Sequence, residues 1–320
     1  MKVLVVRFSS IGDILMTTPV LRCLQEQLPG LQLHYLTKRK FAFVLEGNPR
    51  VDRFHYLEDS FSDLIRQLKE ERFNYLVDLH HNLRTFRLKR ALGVPHSAYF
   101  KANIEKWLYI HWRINRLPGT HTSERFLQTL APLGVRDDGK GLEYYFTHSW
   151  DLETLLPESH RDGYLACVIG GSYFTRRMPP EKIFAILRLV PGPVVLLGGP
   201  EDRERGSLIA GQLGSRAFNA CGSLSFEASA FLVSRARAVM THDTSLMHVA
   251  AAFNKKIVSV WGHNIPEFGN EAFRVDQSWK IGLELPCRPC SKNGSDRCPQ
   301  GHFKCMKDIP ETEVAALLRP

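Results

Sequence analysis

Met1-Lys2-Val3-Leu4-Val5-Val6-Arg7-Phe8-Ser9-Ser10-Ile11-Gly12-Asp13 opens the chain, and its reading decides the fold. Residues 3–6 are aliphatic without polar alternation. That is the pattern of a strand buried on both faces, as in a parallel sheet. The run closes at Arg7 and passes into a turn, residues 8–13. A helix follows, with Val20, Leu21, Leu24 and Leu28 at helical spacing, and ends at Pro29-Gly30. Pro19 fits its first turn with Thr18 as the cap. A start near Gly12 would instead put a kink at Pro19. Residues 31–36 read as a second strand, 61–72 as a helix and 75–79 as a third strand. This alternation predicts a parallel sheet with helical crossovers.

The pattern then repeats. Strands are expected at 164–169, 194–197, 238–241 and 257–261, with helices at 180–190, 201–213, 225–236 and 245–253. Near residues 149–163 the chain turns polar, so the expected division is 1–158 and 159–320. The fold class that follows is α/β, two doubly wound Rossmann-like domains facing each other.

The chain has 320 residues, 44% apolar and 23% charged. These values exclude a disordered chain, a collagen-like fibre and a small disulfide scaffold. No uncharged apolar stretch reaches the roughly 18 residues of a membrane span. The apolar run at the N-terminus is too short for a secretory leader, so a cytoplasmic location is expected. The net charge of +9 is divided almost evenly between the halves. It suits an anionic small molecule or membrane surface, and no nucleic-acid motif accompanies it.

Ligands of open parallel sheets bind beyond the carboxyl ends of the strands. Four loops leave such ends: residues 9–13, 170–179, 198–202 and 241–248. Neither a G-x-G-x-x-G after the first strand nor a P-loop is present. In the last loop, Asp243-Thr244-Ser245 opens a helix whose free N–H groups suit a phosphate. The same residues would also serve as a plain helix cap. Gly170-Gly171-Ser172 precedes Arg176-Arg177, which suit a diphosphate or simply face solvent. Asp13 is either a proton acceptor at the sheet mouth or a carboxylate favoured by the helix dipole.

Arg7-Phe8-Ser9-Ser10-Ile11-Gly12-Asp13-Ile14-Leu15-Met16-Thr17-Thr18-Pro19 resembles the opening of the ADP-heptose-dependent lipopolysaccharide heptosyltransferases of glycosyltransferase family 9. The run Asp243-Thr244-Ser245-Leu246-Met247-His248-Val249-Ala250-Ala251-Ala252 is similar to their second signature. The tail Cys298-Pro299-Gln300-Gly301-His302-Phe303-Lys304-Cys305-Met306 resembles that of heptosyltransferase II-type members. The resemblance implies a GT-B fold with the active site in a cleft between the domains. It implies inverting transfer of heptose from ADP-heptose to the lipopolysaccharide inner core, without a catalytic cofactor. Asp13 would be the base. Ser172, Arg176, Glu227, Asp243, Thr244, Ser245, Met247 and His248 would hold the donor. Ser10, Gly12, Arg84 and Arg87 would face the acceptor. Two departures stand out: Arg176-Arg177-Met178-Pro179 replaces a Lys-x-Trp-Pro motif, and Ser245 replaces a glycine.

Lys38-Arg39-Lys40, the basic stretch 84–90 and the aromatic-basic stretch 107–116 are expected to hold a phosphorylated, lipid-linked acceptor at the inner leaflet. Cys287, Cys290, Cys298 and Cys305 have the spacing of a four-thiolate structural zinc site, or they pack reduced under a loop. Two other functions stay open at this point: a same-fold glycosyltransferase using another nucleotide sugar, and a non-enzymatic nucleotide-binding protein.

Overall fold

A computed structural model of the chain describes residues 1–58 and 60–319. It divides into two compact units, Met1–Lys101 with Thr120–Thr147, and Ala102–Gly119 with His148–Pro320. Residues 102–119 and 148–158 thus pack with the second unit, whereas the polar stretch 149–163 suggested a boundary at 158/159. Pro320, the end of the second expected domain, lies outside the described residues.

The first unit runs β1 (Lys2–Val6), α1 (Ile11–Leu15), α2 (Thr18–Gln27), β2 (Gln32–Thr37), β3 (Arg53–Tyr56), α3 (Phe61–Glu70), β4 (Tyr75–Asp78), α4 (Leu83–Leu92) and β5 (His96–Ala98). The chain leaves for α5 (Asn103–Trp112) and returns with α6 (Thr122–Leu127). The sheet order is β3-β2-β1-β4-β5, with every pair parallel. β1 is central, and Val3, Leu4, Val5 and Val6 are fully buried, as an aliphatic run covered on both faces requires. The two helix starts weighed for residues 11–19 both occur. α1 begins at Ile11, the chain breaks at Met16-Thr17, and Pro19 occupies the first turn of α2. The cap position is Thr17 rather than Thr18, and the Thr18 hydroxyl donates back to the Leu15 carbonyl.

The second unit holds α7 (Leu152–Leu155), β6 (Leu165–Val168), α8 (Pro180–Leu187), β7 (Val194–Leu197), α9 (Arg203–Leu213), β8 (Ala217–Asn219), α10 (Phe226–Arg235), β9 (Ala238–His242), α11 (Ser245–Ala252), β10 (Ile257–Val260), β11 (Ser278–Ile281), α12 (Lys304–Lys307) and α13 (Glu311–Leu318). Its order, β11-β10-β9-β6-β7-β8, is parallel throughout. Each sheet reverses direction once, between β1 and β4 and between β6 and β9. Doubly wound sheets bind ligands beside such reversals. Among the described residues no helix is long and apolar enough to cross a membrane.

Four strands escape the sequence pattern: β3, β5, β8 and β11. All four are edge strands with partly exposed residues, so none shows a continuous apolar run.

Arg22 on α2 is 2% exposed. It donates twice to Asp138, at 2.6 and 3.0 Å, and once to the Gly141 carbonyl at 2.9 Å. The pair ties α2 to the polar turn region 134–141. Burial pushes the Asp138 carboxyl up, but the bonds from Arg22 and the Lys140 N–H outweigh it and hold the group at about 2. Because this value lies below the ordinary one, the stabilisation is present above the ordinary carboxylate pKa and is lost as pH falls toward 2. Arg22→Met should therefore cost about 3 kcal/mol at neutral pH. Urea unfolding should find a smaller difference from wild type at about pH 3. An equal difference at both pH values would show that packing, not the ion pair, carries the effect.

Candidate active site

In the first unit, Arg7 marks the point where β1 runs out. Its side chain is nearly buried. It donates to the Ser9 carbonyl (2.7 Å) and the Leu79 carbonyl (2.6 Å), and it pairs with Asp13 at 2.9 Å. Arg7 thus ties the loop after β1 to the loop after β4, the two strands flanking the reversal. Its guanidinium also lies 5.6 Å from the Phe126 ring centre. Asp13 sits in the first turn of α1. One carboxylate oxygen accepts from the Ser10 N–H (3.1 Å), the Ser10 hydroxyl (2.8 Å) and Arg7. Its side chain keeps 31% of its surface open. Burial pushes the carboxyl up, and Arg7 and Ser10 more than reverse this, to about 2. Asp13 is therefore a helix-start carboxylate that stays ionised at neutral pH and remains partly open to solvent.

Gly12 lies in α1 beside Asp13. Arg84 and Arg87 are exposed on α4. Sequence reasoning missed His80, which follows β4. Its ring packs on Phe8 with centres 4.8 Å apart. Burial, then the charges of Arg7 and Lys101, lowers its pKa to about 3, so it is neutral. The sequence signal was a His-His pair directly after a buried strand.

In the second unit, Asp243 follows β9. It is not the cap of α11; that position belongs to Thr244, whose hydroxyl pairs with Thr241 at 3.1 Å. The Asp243 carboxylate accepts from Asn264 at 2.8 Å and lies 3.4 Å from Arg176. Arg176 also donates to the carbonyls of Asp243 (3.1 Å) and Asn293 (2.9 Å). The two motifs on either side of the β6/β9 reversal are therefore in contact. Ser245 begins α11, whereas the Met247 and His248 side chains are buried. Ser172 is exposed on its loop.

Met178, which stands where the family motif has tryptophan, is fully buried in the core of this unit. Its N–H donates to His242 at 3.1 Å, and burial lowers the His242 pKa to about 4. Methionine serves there as core filling. Glu227 lies in the first turn of α10, and both its oxygens accept from His148, at 3.2 and 2.9 Å. Also missed was Asp202, fully buried, which accepts from the Gly199 N–H at 3.1 Å and pairs with Arg205 at 2.9 Å. A Cβ on Gly170 or Gly198 would come within 2.7 to 2.8 Å of the Asp202 side chain. Both glycines are needed for that close approach.

Arg288 anchors the Cys-rich loop by donating to the carbonyls of Trp261 and Asn264, both at 2.9 Å. All four cysteines are reduced, and Cys305 is buried in the core. Among the described residues, the donor set that comes within 4.8 Å is His34, His55 and Glu71, not the cysteines. The four-thiolate set suggested by the spacing is thus not assembled. The histidine set is a poor cation site as it stands. His34 and His55 bond each other at 2.9 Å, and Glu71 pairs with Lys2 at 2.8 Å and Arg53 at 2.5 Å.

Two doubly wound parallel units, each with charged loops beside its reversal, make up an α/β fold of the GT-B type. The described family, glycosyltransferase family 9 (heptosyltransferase), matches residues 61–297, and the chain belongs to that family. Lipopolysaccharide heptosyltransferase 1 of Pseudomonas aeruginosa is 26% identical, over 100% of this chain and 94% of that protein. A family 9 glycosyl transferase from Veillonella parvula superposes with a TM-score of 0.79 at 22% identity, covering 99% of this chain and 97% of that one. The E. coli ADP-heptose lps heptosyltransferase II gives a TM-score of 0.72 at 20% identity, with the same coverage.

The Arg7–Asp13 pair sets an expectation. Asp13 should titrate near about 2 by carboxyl-carbon NMR in the wild-type protein. In Arg7→Met the guanidinium no longer offsets burial, and the value should rise, with the Ser10 bonds still holding it down in part. The pair contributes stability above the ordinary pKa and loses it as pH falls toward 2. An unchanged titration in the variant would assign the low value to Ser10 alone.

Proposed function

We propose that this enzyme transfers heptose from ADP-heptose to the lipopolysaccharide inner core with inversion at the anomeric carbon. Family membership supports the reaction class. The single observation that carries the assignment of roles is the ionised, accessible Asp13 beside the β1/β4 reversal. In the proposed step an acceptor hydroxyl oxygen attacks the anomeric carbon, and its proton passes to Asp13. The bond from that carbon to the β-phosphate oxygen breaks, and ADP leaves with the electron pair. Arg7 keeps Asp13 ionised at neutral pH. It also weakens Asp13 as a base, so much of the rate must come from stabilising the leaving group.

That stabilisation is assigned to the second unit. Arg176 and the N–H groups from Thr244 to Leu246 at the start of α11 face the growing charge of the diphosphate, with the Met247 N–H closing the turn on the Thr244 carbonyl at 3.2 Å. Asp243, Ser245 and the first turn through His248 hold the sugar and phosphate. Ser172 lines the phosphate loop, and Glu227 takes ribose hydroxyls in exchange for His148. Ser10, Gly12, Arg84 and Arg87 serve the acceptor. None of these steps draws on a metal or cofactor. A structural zinc on Cys287, Cys290, Cys298 and Cys305 is supported by their spacing alone and would require the loop to draw the sulfurs together. The protein works in the cytoplasm, in peripheral contact with the inner face of the inner membrane.

The test is transfer from ADP-heptose to a heptose-deficient core lipid, read by mass spectrometry with and without EDTA. Product should form in both. Asp13→Asn should lose about 10²–10⁴ in rate with nearly unchanged ADP affinity. Asp243→Ala should lose more turnover than ADP affinity, because ADP lacks the sugar. Transfer from another nucleotide sugar but not from ADP-heptose would overturn the donor. Wild-type turnover in Asp13→Asn would overturn the base.

A further inference from the structure

The first unit carries an unpartnered surface next to its proposed acceptor residues. α4 reads Leu83-Arg84-Thr85-Phe86-Arg87-Leu88-Lys89-Arg90-Ala91-Leu92 and contains no acidic residue. Thr85 and Leu88 face the core. The opposite stripe, Leu83, Phe86, Arg87 and Arg90, recurs at i, i+3, i+4 and i+7, so it lies on one face. Leu83 is 75% exposed and Phe86 57%, among the most open large apolar side chains of the protein. Phe100, at 53%, joins the same rim. Its neighbours are tied to the residues just before α4: Lys101 donates to the His80 carbonyl at 3.1 Å, and the His81 ring bonds the Tyr99 carbonyl at 2.9 Å.

The charges of this surface are free to act outward. Lys89 is spent inside, on buried Asp78 at 3.0 Å. Arg84, Arg87 and Arg90 are exposed and have no carboxylate partner among the described residues; Arg87 lies 5.4 Å from the Phe61 ring centre. Exposed apolar side chains alone would suit any apolar partner. Flanked by three arginines without a carboxylate partner among the described residues, on a helix that carries no acid, they match a surface that is negative outside and apolar a few ångströms in.

We infer that α4 and Phe100 dock the first unit on the surface of an anionic lipid bilayer. Leu83, Phe86 and Phe100 enter the headgroup–acyl boundary, and Arg90 meets lipid phosphates beside Arg84 and Arg87, which serve the lipid-linked acceptor. The inference gives the membrane contact of the proposed function a specific element and rests on the reading of the acceptor as lipid-linked.

The test is co-sedimentation with vesicles of phosphatidylglycerol and phosphatidylcholine, against pure phosphatidylcholine. Wild type should bind the anionic vesicles, and added salt should weaken the binding. Arg90→Glu should lower partitioning roughly fivefold or more, and the Leu83→Glu/Phe86→Glu variant roughly tenfold or more. Both substitutions are on the surface, and circular dichroism should find them folded. Turnover on a deacylated core oligosaccharide should be unchanged in Leu83→Glu alone, while its turnover on acceptor embedded in anionic vesicles falls. Absence of vesicle binding, equal binding by wild type and variants, or equal binding to neutral vesicles would overturn the inference. So would self-association abolished by Leu83→Glu without vesicle binding, which would assign the face to a second copy. Vesicle binding without transfer from ADP-heptose would sink the proposed function and leave the docking surface standing. Normal transfer without vesicle binding would do the reverse.

Discussion

A charged side chain at the end of a fully buried parallel strand must find its partners at the strand's carboxyl edge, and Arg7 does so. β1 spends four residues buried to 0% between β2 and β4. The guanidinium that follows is held by two carbonyls and a carboxylate. Removing so hydrophilic a group from water is costly unless each donor is used. Those bonds join the loop after β1 to the loop after β4, and they leave Asp13 ionised beside the one reversal of the sheet. The second unit solves the same problem differently. Asp243 is held by Asn264 and Arg176, and buried Asp202 is held by Arg205 and a glycine N–H.

The contrast between the two carboxylates bears on how the chemistry is shared. Asp13 is stabilised as an anion strongly enough to make it a modest base. Asp243 is tied to Arg176, the arginine proposed to hold the diphosphate. A reaction whose leaving group is a diphosphate gains more from charge stabilisation than from a strong base. The arrangement suits that balance.

Helices α4 and α5 are where composition misleads. Both are rich in basic and large apolar residues, and neither is legible as a helix from its apolar spacing, because in each the most apolar stripe faces outward. Ile104, Trp107 and Trp112 are exposed on α5 as Leu83 and Phe86 are on α4. A pattern read on the assumption that apolar means buried fails at side chains such as these, which stay exposed. The Cys-rich loop is tied to the rest of its unit by Arg288 and by Cys305 in the core.

The sequence by itself determined the class of fold, the central strands and the positions of the loops at their carboxyl ends. Aliphatic runs, glycine turns and helix starts are local signals that tertiary context rarely reverses. It also carried the family motifs around Asp13 and Asp243. The tertiary structure alone decided the edge strands β3, β5, β8 and β11, whose short, half-exposed segments gain their order from a neighbour's hydrogen bonds. It decided that residues 102–119 pack with the second unit. It also decided which polar groups meet: Arg7 with Asp13, Arg176 with Asp243, His148 with Glu227 and Arg22 with Asp138. These partners are up to 116 positions apart, and no local pattern records a bond that exists only once the chain has closed on itself.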